Sequence, residues 1–117
     1  MQVIRLMSTL EKLLKLDGVK AAGEFMKDGS LKAFKGSINK TAAEDLARYC
    51  MAMNGVLETM GLMSSKLDKL DIDPYHGFVH CGGDSTIFAS LDHFVIVDET
   101  ADWNEISYAV LKGEFPE

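Results

Sequence analysis

Val19-Lys20-Ala21-Ala22-Gly23-Glu24-Phe25-Met26-Lys27-Asp28-Gly29-Ser30-Leu31-Lys32-Ala33-Phe34-Lys35-Gly36 reads as two alternating runs folded about one turn. Alternation with period two is the pattern of a strand that turns one face to a core. Asp28-Gly29 supplies residues that tolerate the positive φ angles of a tight hairpin. A turn there pairs Val19–Lys27 with Ser30–Gly36 and sets Gly23 opposite Phe34 and Met26 opposite Leu31, because directly opposed residues of an antiparallel pair share a face. The small residues Ala21, Ala22, Gly23 and Ala33 leave room for something to pack closely above these strands.

Upstream, Ser8-Thr9-Leu10-Glu11 fits a capping box, in which the Ser hydroxyl and the Glu carboxylate satisfy the free amides of a helix start. A short helix, Thr9–Leu16, follows, with Leu10, Leu13 and Leu14 on one side and Gly18 as its stop. Downstream, Thr41-Ala42-Ala43-Glu44 reads as a second capping box opening a long helix that runs to about Leu67. Leu46, Cys50, Met53, Leu57, Met60, Ser64 and Leu67 step by four and three, the spacing of one buried stripe. Tyr49, Met51, Val56, Leu62 and Met63 lie off that stripe, so the apolar surface is broader than contact with one sheet uses up. Either a second protein covers the remainder or the helix is buried deeper than a domain this small normally allows. The flexible thioethers of Met51, Met53, Met60 and Met63 suit a surface that repacks against a partner as well as a plain core helix.

Asp68–Tyr75, containing Pro74, reads as a polar loop. Gly77–Gly82, Ser85–Leu91 and Phe94–Asp98 follow as three short strands, with turns at Gly83-Asp84 and Asp92-His93. Phe94-Val95-Ile96-Val97 is continuously apolar, which suits a central strand covered on both faces. Asp102 caps a last helix, Trp103–Lys112, with Glu105 three residues on and Gly113 just past its end. The order is α-β-β-α-β-β-β-α, an α+β sandwich, and 117 residues suit one domain over 1–117.

Composition narrows the function. Twelve Lys and Arg against eighteen Asp and Glu give a formal charge of −6 with no basic cluster, which argues against nucleic acid and anionic membrane as partners. No apolar run approaches the roughly twenty residues of a membrane span, and Met1–Met7 has no signal-peptide pattern, so a cytoplasmic location is expected. Cys50 and Cys81 are too few for a disulfide framework and read as half-buried core thiols.

Catalytic chemistry finds little foothold. His76, His80 and Cys81 are close in sequence, yet strand neighbours point to opposite faces and a fourth zinc ligand is missing. Asp71 and Asp73 open like a calcium loop, but Gly82 stands where a bidentate Glu is needed. Asp98, Glu99 and Asp102 suit the dipole of the last helix, with a contact for a basic partner as the alternative. Ser85, Asp92 and His93 cannot form a triad with Asp and His adjacent in a turn, and no phosphate-binding loop is present. No catalytic residue, cofactor site or metal site is assigned.

Leu16-Asp17-Gly18-Val19 leading into a strand and Lys27-Asp28-Gly29-Ser30 closing a hairpin, within this element order, resemble the roadblock (dynein light chain) family over nearly the whole chain. The resemblance implies a roadblock/profilin-like fold: a five-stranded antiparallel sheet with the long helix on one face and the two shorter helices on the other. It also implies a homodimer joined through the long helix and the edge strand after it, here Leu46–Met63 and Phe78–Cys81. Leu46, Cys50, Met53, Leu57, Met60, Met63, Phe78 and His80 are the expected contact residues. The family's implied role is a non-enzymatic scaffold or regulator of a small GTPase or other NTPase. Two other readings stand beside it: a small-molecule or metal sensor with a pocket above Ala21–Gly23 and His80 or Cys81 inside, and an accessory subunit of a redox enzyme complex. Gly55 and Gly61 each weaken the long helix by roughly 1 kcal/mol against Ala, which allows a bend or close crossing there.

Overall fold

The computed structural model describes residues 8–68 and 75–116, with side chains of 64–68 excepted. The helices are α1 (Thr9–Leu14), α2 (Lys40–Asp68) and α3 (Trp103–Lys112); the strands are β1 (Val19–Phe25), β2 (Leu31–Gly36), β3 (Phe78–Gly82), β4 (Ser85–Ala89) and β5 (His93–Val97). Met1–Met7, most of the loop read at Asp68–Tyr75, and the side chains of the stripe positions Ser64 and Leu67 fall outside what is described.

Both short helices begin where their caps place them. Ser8 Oγ accepts from the Glu11 amide at 3.2 Å and the Glu11 carboxylate answers the Ser8 amide, a complete capping box. Asp102 accepts from the Asn104 and Glu105 amides, and α3 stops at Gly113, whose φ of 69° is left-handed. The Gly113 amide donates to the Ala109 carbonyl, the bond of an αL cap, and the Glu114 amide reaches back to the Tyr108 carbonyl. The long helix starts differently from its reading. Asn39 accepts from the Ala42 amide at 2.8 Å, so Asn39 is the cap and Thr41 already lies inside the first turn.

The first hairpin forms with one correction. Gly23 lies opposite Phe34, but Leu31 lies opposite Phe25, not Met26. The Met26 amide donates to the Ser30 carbonyl and the Gly29 amide to the Met26 carbonyl, so the loop has three residues, Lys27-Asp28-Gly29, with Gly29 at φ 88°. That is a three-residue hairpin loop closed by a left-handed residue. Lys32 is then an extra residue on β2, a bulge that restores the register expected further along. A similar one-residue offset occurs between β4 and β5: the Ser90 amide bonds to the His93 carbonyl, which puts Leu91-Asp92 at the tip in place of Asp92-His93.

The sheet runs β2-β1-β5-β4-β3 with every pair antiparallel. The apolar strand β5 is central, as its composition requires. Val95 and Val97 face Leu10, Leu13, Ile106 and Val110 of α1 and α3. Phe94 faces Ala43, Ala47 and Cys50 of α2. Phe88, Phe94, Leu13 and Ile106 are fully buried, each contributing about 1.5–3 kcal/mol. The room expected above Ala21–Gly23 is taken: a Cβ on Gly23 would lie 2.2 Å from the Phe94 ring. Gly23 thus admits an aromatic ring of the neighbouring strand, which fills the space directly above it.

Candidate functional site: the outer side of α2 and the β3 edge

On α2 the side chains that meet the sheet are Ala43, Ala47, Cys50 and Asn54, all buried and spaced by four and three. Small residues bring the helix close to the strands. Its azimuth is fixed by two ties: the Asn54 side-chain amide donates to the Ser90 carbonyl at 2.9 Å and accepts from the Tyr75 hydroxyl at 2.8 Å. Further toward the N-terminus the Tyr49 hydroxyl is hydrogen-bonded to His80 Nδ1 of β3, and the Tyr49 ring stands edge-on to Phe78 at 6.0 Å.

The expected contact residues therefore divide. Cys50 is 0% exposed and Phe78 8%, so both belong to the core and neither is free to meet a partner. Burial pushes the Cys50 thiol up to about 12. Leu46, Met53 and Leu57 flank the core half-buried. Met60 and Met63 face outward at 55% and 58%, and His80 is exposed on β3. The reason is geometric: four-three spacing marks a stripe without saying which of two neighbouring stripes faces the sheet, and Ala43 and Ala47 hold the inner one.

The outer stripe is better described by Leu46, Tyr49, Met53, Val56, Met60 and Met63, spaced three, four, three, four, three, the repeat of a coiled-coil seam. It begins half-buried and ends exposed, with Val56 and Leu62 adding to the open part. The signal for Val56 and Leu62 was already present in their position off the expected stripe. The outward side of the first half is polar, carrying Lys40 and the Asp45–Arg48 ion pair. Exposed apolar surface on α2 thus concentrates between Val56 and Met63.

Beside it, β3 pairs with β4 on one side, and among the described residues no strand pairs with its other edge. Val79, His80 and Cys81 are exposed on this strand. Among the described residues no group of three or more His, Cys, Asp or Glu side chains is placed to hold a metal ion, and no helix is long and apolar enough to cross a membrane.

Solved structures share this architecture. The Roadblock/LC7 domain from Streptomyces avermitilis superposes with a TM-score of 0.69 at 15% identity, covering 83% of this chain and 80% of that one. Myxococcus xanthus MglB gives 0.65 at 17% identity over 84% and 79%. The gliding protein mglB of Thermus thermophilus gives 0.65 at 18% over 85% and 75%. At such identities the likeness establishes the fold, and the fold is roadblock. No curated protein matches the chain. Residues 9–112 match the family described as "Uncharacterized conserved protein (DUF2173)", and the chain belongs to that family.

Proposed function

We propose that the chain is a non-enzymatic, homodimeric interaction module of the cytoplasm, pairing through the outer side of α2 and the β3 edge and serving as scaffold or regulator of a small GTPase or other NTPase. The observation that carries this reading is the apolar seam that emerges from the core at Met53 and stays uncovered through Met63. One structural relative is described as MglB with a tetrameric arrangement, which supports self-assembly on this fold. Covering what remains exposed of Val56, Met60, Leu62 and Met63 on two subunits contributes on the order of 10 kcal/mol. Lost rotational and translational freedom costs about 4–15 kcal/mol, so the seam alone makes a weak dimer and the open strand edge must add to it. The NTPase role rests on the roadblock resemblance.

Light scattering on the eluting protein at micromolar concentration tests the self-association. The wild type is expected at twice the chain mass, and Met60→Asp with Met63→Asp at the single mass with an unchanged circular dichroism spectrum, because both side chains lie outside the core. A monomeric wild type, or a variant that still pairs, would overturn the proposal. The partner is tested by capture from the native host: an NTP-hydrolysing protein should be recovered by the wild type and lost with the double variant.

A further inference from the structure

On the other side of the sheet a cavity of about 600 Å³ opens where α1, the C-terminal end of α3 and the β4–β5 turn come together. Leu13, Val110, Leu111 and Phe115 give it apolar walls, and its volume lies within the roughly 300–1,000 Å³ of small-molecule sites. It shares no lining residue with α2 or β3, so it is separate from the pairing surface.

Its polar lining has the wrong sign for this chain. Lys12, Lys27, His76 and His93 contribute to the wall against one carboxylate, Asp92, in a protein of formal charge −6. That carboxylate is already engaged: Asp92 Oδ1 accepts from Ser90 Oγ at 3.1 Å and from His93 Nδ1 at 2.8 Å. The two ammonium groups have no carboxylate partner among the described residues; Lys12 Nζ stands 5.6 Å over the Phe115 ring. The His93 side chain is 16% exposed, and its Nε2 has no hydrogen-bond partner among the described residues. The nearest carboxylate oxygen, Glu24 Oε1, is 3.8 Å away, and Glu24 is itself paired with Lys32 at 3.2 Å. Unpaired cations over apolar walls favour an amphipathic anion, since cations and walls attract different ends of it.

We propose that this cavity binds a small organic acid, with Lys12 and Lys27 holding the carboxylate and Leu13, Val110 and Phe115 receiving the apolar body. The test is amide NMR of the full chain titrated with 2-naphthoate, acetate and the uncharged 2-naphthalenemethanol. Naphthoate should shift the His93, Leu111 and Phe115 amides saturably and leave those of α2 in place. Acetate and the alcohol should each bind at least tenfold more weakly. Lys12→Met with Lys27→Met should weaken naphthoate about tenfold, and the corresponding Arg pair should restore it, which separates lost charge from lost packing. Absence of saturable shifts with naphthoate, equal affinity for the alcohol, or an unaffected Met pair would each overturn the assignment. None of these results depends on whether the chain dimerises.

Discussion

Cys50 and Cys81 carry the same side chain in opposite circumstances: one has no exposed surface beneath α2, the other stands open on β3. A thiol reagent at pH 8 is therefore expected to label Cys81 and to reach Cys50 only on unfolding; two equally reactive thiols in the native protein would contradict the placement. The buried thiol also sets an alkaline limit. Its value rises from 9.0 to about 12 on folding, mainly through burial. Tyr75 moves the same way, from 10.0 to about 12, through burial first and then the charges of Cys50 and Glu58. Between the two values the unfolded chain holds fewer protons than the native one, so this share of stability is complete below about pH 9 and is lost as pH rises toward 12. Urea midpoints should fall from pH 8 to pH 10.5, and a flat profile would count against the burial. Sequence indicated two half-buried thiols; the rotation of α2 about its own axis sinks Cys50 beneath the helix, while Cys81 stands on the outermost strand of the sheet.

At the scale of elements, capping chemistry was the most legible feature. Ser8 with Glu11, and Asp102 with Gly113, act where their side chains suggest. At α2 the capping-box pattern Thr41-Ala42-Ala43-Glu44 placed the helix start two residues late. The structure gives the hydrogen bond to Asn39. Asn39→Ala is accordingly expected to cost about 1 kcal/mol in chemical denaturation, with Thr41→Ala within about 0.5 kcal/mol of the wild type. Reversal of that order would return the helix start to Thr41. The hairpins were legible as pairings but not at their tips. A left-handed Gly29 and a bulge at Lys32 trade one residue of loop for one of ladder, and a sequence pattern fits both arrangements. The candidate interface suffered the same ambiguity: periodicity located the apolar girth of α2, and packing of Ala43 and Ala47 decided which part stays outside.

At the scale of the whole molecule, the sheet has two edges left open among the described residues, and they differ in character. The β2 edge carries Lys32 and Lys35, and its bulge and charges discourage pairing with another strand. The β3 edge carries Val79, His80 and Cys81 and has neither device. If pairing uses β3 as proposed, Val79→Lys should raise the dimer dissociation constant at least tenfold while Lys35→Gln leaves it within twofold, as read by sedimentation. Equal effects would mean that strand pairing does not select this edge. The layer order of the fold was legible from element order together with the roadblock resemblance, whereas the acid-binding cavity was not, since its walls come from stretches as distant as Lys12, Phe25, Asp92 and Phe115.

The strand order has one more consequence, and it concerns time. β5 is the last strand in the chain and the middle one in the sheet, joining β1 on one side to β4 on the other. Until it arrives, the earlier strands amount to two separate ribbons, and an isolated two-stranded ribbon is marginally stable at best in water. Val19 must wait for Val97. Closing so long a stretch of chain slows the search for the native state and keeps apolar strands unprotected on the ribosome until β5 has emerged.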